Sequence, residues 1–192
     1  MKSVFFAAIV FLFALAPLGV KAEENPSKAD FFEASKVYQD KDYALNDVIE
    51  FSIFDMSEVK FLNESDKDSL QKTKDSLMKL PKLFYQNLKN EILTEQVPVT
   101  LYPSDAPEHT KPLKLSIKVK TLHLKPAENP SEQSISLRIF GQIEDKKTDE
   151  DLFKFYDSGT EVFSPSGDIN AAFAKISDKI MKNLALFLKS KY

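Results

Sequence analysis

The sequence predicts an α+β domain, a two-layer sandwich in the order βαββββα. It should hold a mostly antiparallel sheet of about five strands with two long helices on one face. Three stretches carry that prediction. Leu113-Lys114-Leu115-Ser116-Ile117-Lys118-Val119-Lys120 alternates apolar and polar residues without a break, and the side-chain period of two makes such a strand apolar on one face and wet on the other. Ile135-Ser136-Leu137-Arg138-Ile139 repeats the pattern and continues through Gly141 to Ile143. Near the end of the chain, Ile169, Phe173, Ile176, Ile180, Leu184, Phe187 and Leu188 recur at three- and four-residue spacing, which places them on one side of a helix.

The chain opens with an export signal. Lys2 supplies a positive start, residues 4–16 form an unbroken apolar run, and Pro17 and Gly19 interrupt it before Val20-Lys21-Ala22. A small residue on either side of Lys21 fits peptidase cleavage after Ala22. The rival site, Ala14-Leu15-Ala16, would place Pro17 directly after the cut. The apolar run falls short of the ~20 residues a spanning helix needs, and no later segment approaches that length. Residues 1–22 are therefore expected to leave, followed by a polar leader at 23–46 and a single α+β domain at 47–192. Within the leader, Ser27 and Asp30 have capping-box spacing, so either a short helix carrying Phe31, Phe32, Ser35 and Tyr38 or a flexible segment is expected.

Val48-Ile49-Glu50-Phe51-Ser52-Ile53-Phe54 is β-branched and aromatic and reads as the first strand. Ser65 and Asp68 then set a capping box ahead of a helix with Leu70, Leu77 and Leu80 on one side. Pro81 suits the start of a second helical segment. In it, Leu83, Phe84, Leu88, Glu91 and Ile92 face inward, with Lys82, Gln86, Lys89 and Asn90 outside. Residues 97–102 are apolar but contain Pro98, which assigns them to a sheet edge. Residues 103–112 hold three prolines and form a loop. The hairpin follows, its two halves separated by the polar stretch from Lys125 to Gln133, where Pro126 and Pro130 cannot continue a ladder. Leu122 and Leu124 are out of phase with Leu113, Leu115, Ile117 and Val119; either a bulge near Thr121 or burial of both faces accounts for the slip. After the polar turn at 145–151, residues 152–156 make a strand that Asp157-Ser158-Gly159 bends before 160–163. Ser164-Pro165-Ser166-Gly167 ends it, and Asp168 caps the last helix.

Composition narrows the function classes. Losing residues 1–22 moves the formal charge from −3 to −5, because Lys2 and Lys21 leave with them. The remaining 170 residues can bury roughly 70% of their unfolded surface without a covalent staple. The chain has no cysteine, which excludes disulfides, thiol catalysis, thiolate metal sites and a lipidated N-terminal cysteine. An exported domain without disulfides points to the bacterial periplasm, and an acidic balance with no basic block gives no support to nucleic-acid binding. His109 and His123 have no companions at zinc-site spacing. Only four glycines are present and none lies in a phosphate-cradling cluster. The acidic turn at 145–151 places Lys146 and Lys147 where a calcium loop needs oxygen ligands and glycine. No cofactor and no metal are implied. Lys114, Lys118 and Lys120 share one strand's polar face, and Arg138 lies across from them; they are either a basic docking patch or an ordinary solvated sheet face.

The opening strand from Ile49 to Asp55, the run Leu137-Arg138-Ile139-Phe140-Gly141-Gln142-Ile143-Glu144-Asp145, the turn Lys147-Thr148-Asp149-Glu150 and the closing Asp157-Ser158-Gly159 together resemble the small α+β domain of bacterial envelope accessory proteins. That group includes the auxiliary lipoproteins of lipid-trafficking ABC systems and related exported families. The resemblance runs over about residues 46–188. It implies a non-enzymatic periplasmic module that docks on an envelope protein or lipid-transport complex, with lipid a further partner. The chain departs from the family in lacking the lipidated cysteine, so tethering by lipid does not carry over. Two other classes stay open: a carboxylate hydrolase acting on cell-wall or glycan material, since the acids present allow many geometries, and an effector that leaves the cell.

Overall fold

The computed structural model describes residues 30–33, 47–51, 60–62, 67–103, 113–129, 131–164 and 166–191. The signal segment with its cleavage site, the cap at Ser65 and the Pro-rich loop at 104–112 lie outside the described residues. The strands are β1 (Asp30–Glu33), β2 (Asp47–Phe51), β3 (Lys60–Leu62), β4 (Val99–Pro103), β5 (Leu113–Pro126), β6 (Gln133–Asp145) and β7 (Glu150–Phe163). The helices are α1 (Lys67–Leu77) and α2 (Leu80–Thr94), between β3 and β4, and α3 (Ile169–Lys189) after β7.

The chain is α+β, but its sheet is larger and more mixed than the expected five strands. Among the described residues seven strands join in the order β1-β7-β6-β5-β2-β4, with β3 also on β5. In the leader, where either a short helix or a flexible segment is expected, residues 30–33 form β1, antiparallel to β7, while Ser27, Ser35 and Tyr38 lie outside the described residues. β1 and β3, of four and three residues, are too short for alternation to register. The pairs β1·β7, β7·β6 and β6·β5 are antiparallel, whereas β5·β2, β2·β4 and β3·β5 are parallel. Helices between β2 and β4 make that connection a crossover, and a crossover returns the chain in the same direction.

That topology also sets the helices. β5 and β7 both run antiparallel to β6, so β4, β5 and β7 point the same way; α2 leads back into β4 and α3 leads away from β7. The two helices consequently lie side by side and parallel. Three contacts mark their shared direction: Lys79 Nζ donates to Asn170 Oδ1 (3.3 Å), Asn87 Nδ2 to Ser177 Oγ (3.0 Å), and Lys189 Nζ meets Glu95 Oε2 (3.1 Å).

The core lies between the helices and one face of the sheet. Leu115, Ile117, Val119 and Leu122 of β5, Ile135, Leu137 and Ile139 of β6, and Phe155 of β7 are buried there. They meet Leu80, Phe84, Leu88 and Ile92 of α2 and Phe173, Ile176, Ile180 and Leu184 of α3. Each such side chain contributes roughly 1.5–3 kcal/mol. The slip near Thr121 is a bulge: the ladder shifts between Val119 and Thr121, so Lys120 and Thr121 together oppose Arg138. The extra residue returns Leu122 to the buried face. The expected bend at residues 157–159 is absent, because β7 runs unbroken. The small and polar residues there form a seat for α3. A Cβ on Gly159 would stand 2.7 Å from Ile176 Cγ2, and Asp157 Oδ2 accepts from Asn183 Nδ2 at 2.9 Å. Phe155, also on β7, lies across Gly141 of the neighbouring β6, where a Cβ would overlap its ring.

Helix ends follow local chemistry. α2 closes with Gln96 in the left-handed region (φ 55°), with Val97 N–H donating to the Ile92 carbonyl and Gln96 N–H to that of Leu93. This is the Schellman arrangement, supported by the buried pair Val97 and Ile92. At the start of α3, Asp168 Oδ1 accepts from the Asn170 backbone N–H at 2.8 Å, as its capping role requires.

Two predictions follow from these contacts. Gly159→Ala should cost roughly 1–3 kcal/mol in urea unfolding despite alanine's better strand preference, because the added methyl overpacks against Ile176. Combination with Ile176→Ala should lose less than the two single changes added together; an unchanged midpoint for the single variant would contradict the close approach. The side-chain amide and backbone N–H of Asn170, with Lys79 nearby, hold the Asp168 carboxyl below its usual range. A lowered native pKa means that the unfolded chain binds this proton more tightly. The cap's contribution is therefore full above the ordinary aspartate range and fades as pH falls through the native value. Asp168→Asn should flatten the fall in melting temperature between about pH 5 and pH 2, and an identical profile in the variant would refute the linkage.

Candidate functional site

The alternation that buries one face of β5, β6 and β7 places the intervening residues on the other, away from the helices. Lys114, Lys118 and Lys120 are all half-buried on β5, and Arg138 is exposed on β6. The structure therefore puts all four basic residues singled out in the sequence on one surface. It does not give them one environment. Lys114 Nζ pairs with Glu144 Oε1 at 2.8 Å, and Gln142 Nε2 donates to Glu144 Oε2 at 3.1 Å. Lys114 is thus neutralised by its cross-strand neighbour.

The other three surround an aromatic pair. Lys118 stands opposite Phe140, and Phe140 opposite Tyr156, in one row across the sheet. The Phe140 and Tyr156 rings are tilted by 48° with centroids 5.0 Å apart. Arg138 Cζ lies 5.7 Å from the Tyr156 centroid and Lys120 Nζ 6.0 Å from that of Phe140, within the range of cation–π attraction. The bulge contributes here, because it sets Lys120 and Thr121 together opposite Arg138. On the same side, Lys154 Nζ pairs with Asp151 Oδ2 at 2.6 Å, and Ser136 Oγ and Thr160 Oγ1 lie 2.8 Å apart.

A search of the sequence for basic residues alone passes over Phe140 and Tyr156. The signal was present: each occupies a polar-phase position, between Ile139 and Gly141 and between Phe155 and Asp157. An aromatic ring at such a position keeps an apolar surface toward water, and rings beside Arg are enriched where proteins meet.

Other candidate chemistry is dispersed. His123 is half-buried and stands opposite Ser136, whereas His109 lies outside the described residues. Among the described residues no group of three His, Asp or Glu side chains comes together as a metal site. Among the residues whose side chains are described, the buried carboxylates are Asp145 and Asp157. Asp145 accepts from the Lys147 backbone N–H at 2.8 Å, closing the turn into β7, and Asp157 holds Asn183. Asp157 stands opposite Ile139, six positions along β6 from Asp145. That places the two roughly 20 Å apart along the sheet, too far for glycosidase carboxylates, which sit about 5–10 Å from each other.

No family model and no curated protein matches the chain. Solved structures are similar to it in fold. PelC, from the dodecamer of Paraburkholderia phytofirmans, is 9% identical with a TM-score of 0.45 over 81% of this chain and 97% of that one. A minor lipoprotein of Acinetobacter baumannii is 10% identical with a TM-score of 0.41, covering 74% and 90%. A lipoprotein of Neisseria meningitidis is 7% identical with a TM-score of 0.36, covering 73% and 99%. Among the described residues no helix is long and apolar enough to cross a membrane.

Proposed function

We propose that the chain is an exported, non-enzymatic accessory module of the bacterial envelope, cut after Ala22, working in the periplasm by docking on an envelope protein or lipid-transport complex. The observation that carries this reading is the aromatic pair Phe140 and Tyr156 on the sheet face opposite the helices, flanked by Arg138 and Lys120. Aromatic and Arg side chains bring large contact area with few rotamers to freeze, and they dominate the energetics of interfaces. Lys118 in the same row and the paired Lys114 and Glu144 supply a polar rim. The export signal and the absence of cysteine support the compartment. The scattered placement of Asp145 and Asp157 favours docking over carboxylate hydrolysis.

Lys118→Glu combined with Arg138→Glu should abolish crosslinking to the envelope partner in cells while leaving the melting temperature within a few degrees, because both side chains lie off the core. Crosslinking that survives the double reversal would remove this face as the docking site.

A further inference from the structure

The helix layer carries a second surface of different chemistry. On α3, Lys175, Lys179, Lys182, Leu186 and Lys189 follow one another at spacings of four, three, four and three residues, and all are exposed. On α2, Lys82, Gln86, Lys89 and Leu93 repeat the spacing of four, three and four, again all exposed. Such spacing keeps side chains in one line along a helix. The contacts between the helices join residues 90 to 94 apart in sequence, and a shift of 93 superposes the two lines. Lys82 is then level with Lys175, Gln86 with Lys179, Lys89 with Lys182, and Leu93 with Leu186. The leucines are 69% and 43% exposed.

The charge is one-sided. Among the residues of α2 and α3, six lysines and a single acid, Asp178, are exposed, on a chain whose formal net charge is −3. Lys189 pairs with Glu95 and Lys175 with Glu161. Lys82, Lys89, Lys179 and Lys182 form no ion pair with a described residue. The cationic surface is thus a property of this layer and not of the chain.

We infer that the paired outer faces of α2 and α3 dock on an anionic phospholipid bilayer, with Leu93 and Leu186 entering the headgroup boundary and the lysines contacting lipid phosphates. Three features favour a membrane over a folded protein. The stripes repeat the same residue types at successive levels, which suits a laterally uniform partner. They contain no Trp, Tyr, Phe or Arg, the usual anchors of protein interfaces, and they are rich in Lys, which such interfaces avoid. Lysine stems can lie along an apolar boundary while their ammonium groups stay in water, and this lets short leucine side chains insert beside them. The sheet face, with its rings and Arg138, has the opposite character, so the two surfaces can be occupied together.

The test uses the full chain after export, its N-terminus checked by mass spectrometry. Co-sedimentation is measured with vesicles of phosphatidylcholine alone and with phosphatidylglycerol added. Binding should require phosphatidylglycerol and weaken steeply as salt rises. Lys89→Glu with Lys182→Glu should reduce binding by about tenfold or more, and Leu93→Ser with Leu186→Ser should reduce it severalfold at unchanged charge. Lys118→Glu with Arg138→Glu should leave it intact, which separates this surface from the docking face proposed above. All of these positions are outside the core, and circular dichroism verifies the fold of each variant. Equal binding to neutral and anionic vesicles, or no binding, would overturn the inference. So would a loss caused by the sheet-face pair instead, or retention on heparin without vesicle binding. Full binding by the leucine variant would overturn the insertion step.

Discussion

Phe155 lying across Gly141, and Ile176 pressed on Gly159 four residues further along β7 on the same face, fix how β6 and β7 sit against each other and against α3. A slip of one residue in any of these strands would exchange its apolar set for its polar set. The register therefore decides two things at once: which side chains build the core and which reach solvent. Leu137, Ile139 and Phe155 point toward α3 because Arg138, Phe140 and Tyr156 do not. The bulge at Lys120 and Thr121 is the local cost of a 14-residue strand that must keep one face buried along its length.

From that constraint the rest of the layer follows. Strands β5 and β7 point the same way, and the crossover that ends in β4 adds a third strand in that direction. Helices returning against such strands must run parallel to each other. Parallel packing aligns their outer faces level by level, so a repeated spacing in two distant stretches of sequence becomes one surface. Neither stretch has that property alone. The outer sheet face arises in the same way, since Arg138, Phe140 and Tyr156 come together only through the β6–β7 ladder.

Long elements were legible in the chain because their signals are periodic. The alternation of β5 and β6, the inward positions Phe84, Leu88 and Ile92 of α2, the apolar line of α3 and its cap at Asp168 all rest on local physics. The slip at Leu122 even marked the bulge. The sheet's extent was not legible. β1 and β3 span at most two periods of alternation, and β2 pairs in parallel with strands far along the chain, a relation local pattern does not encode. Asp157-Ser158-Gly159 looked like a bend because small and polar residues usually break strands; here they make room for Ile176 and accept from Asn183. The four basic residues of the docking face were found by charge. Its aromatic centre was not, because Phe140 and Tyr156 carry no charge and are marked only by sitting in the polar phase.

The central claim is that the sheet face bearing Phe140 and Tyr156 meets an envelope protein. It is tested most directly by placing a photo-crosslinking amino acid at position 140 in intact cells and identifying the adducts by mass spectrometry. The account predicts one discrete envelope-protein adduct from position 140 and none from position 86, on the outer face of α2. Illumination that yields no protein adduct at position 140, or the same adducts from both positions, would contradict it.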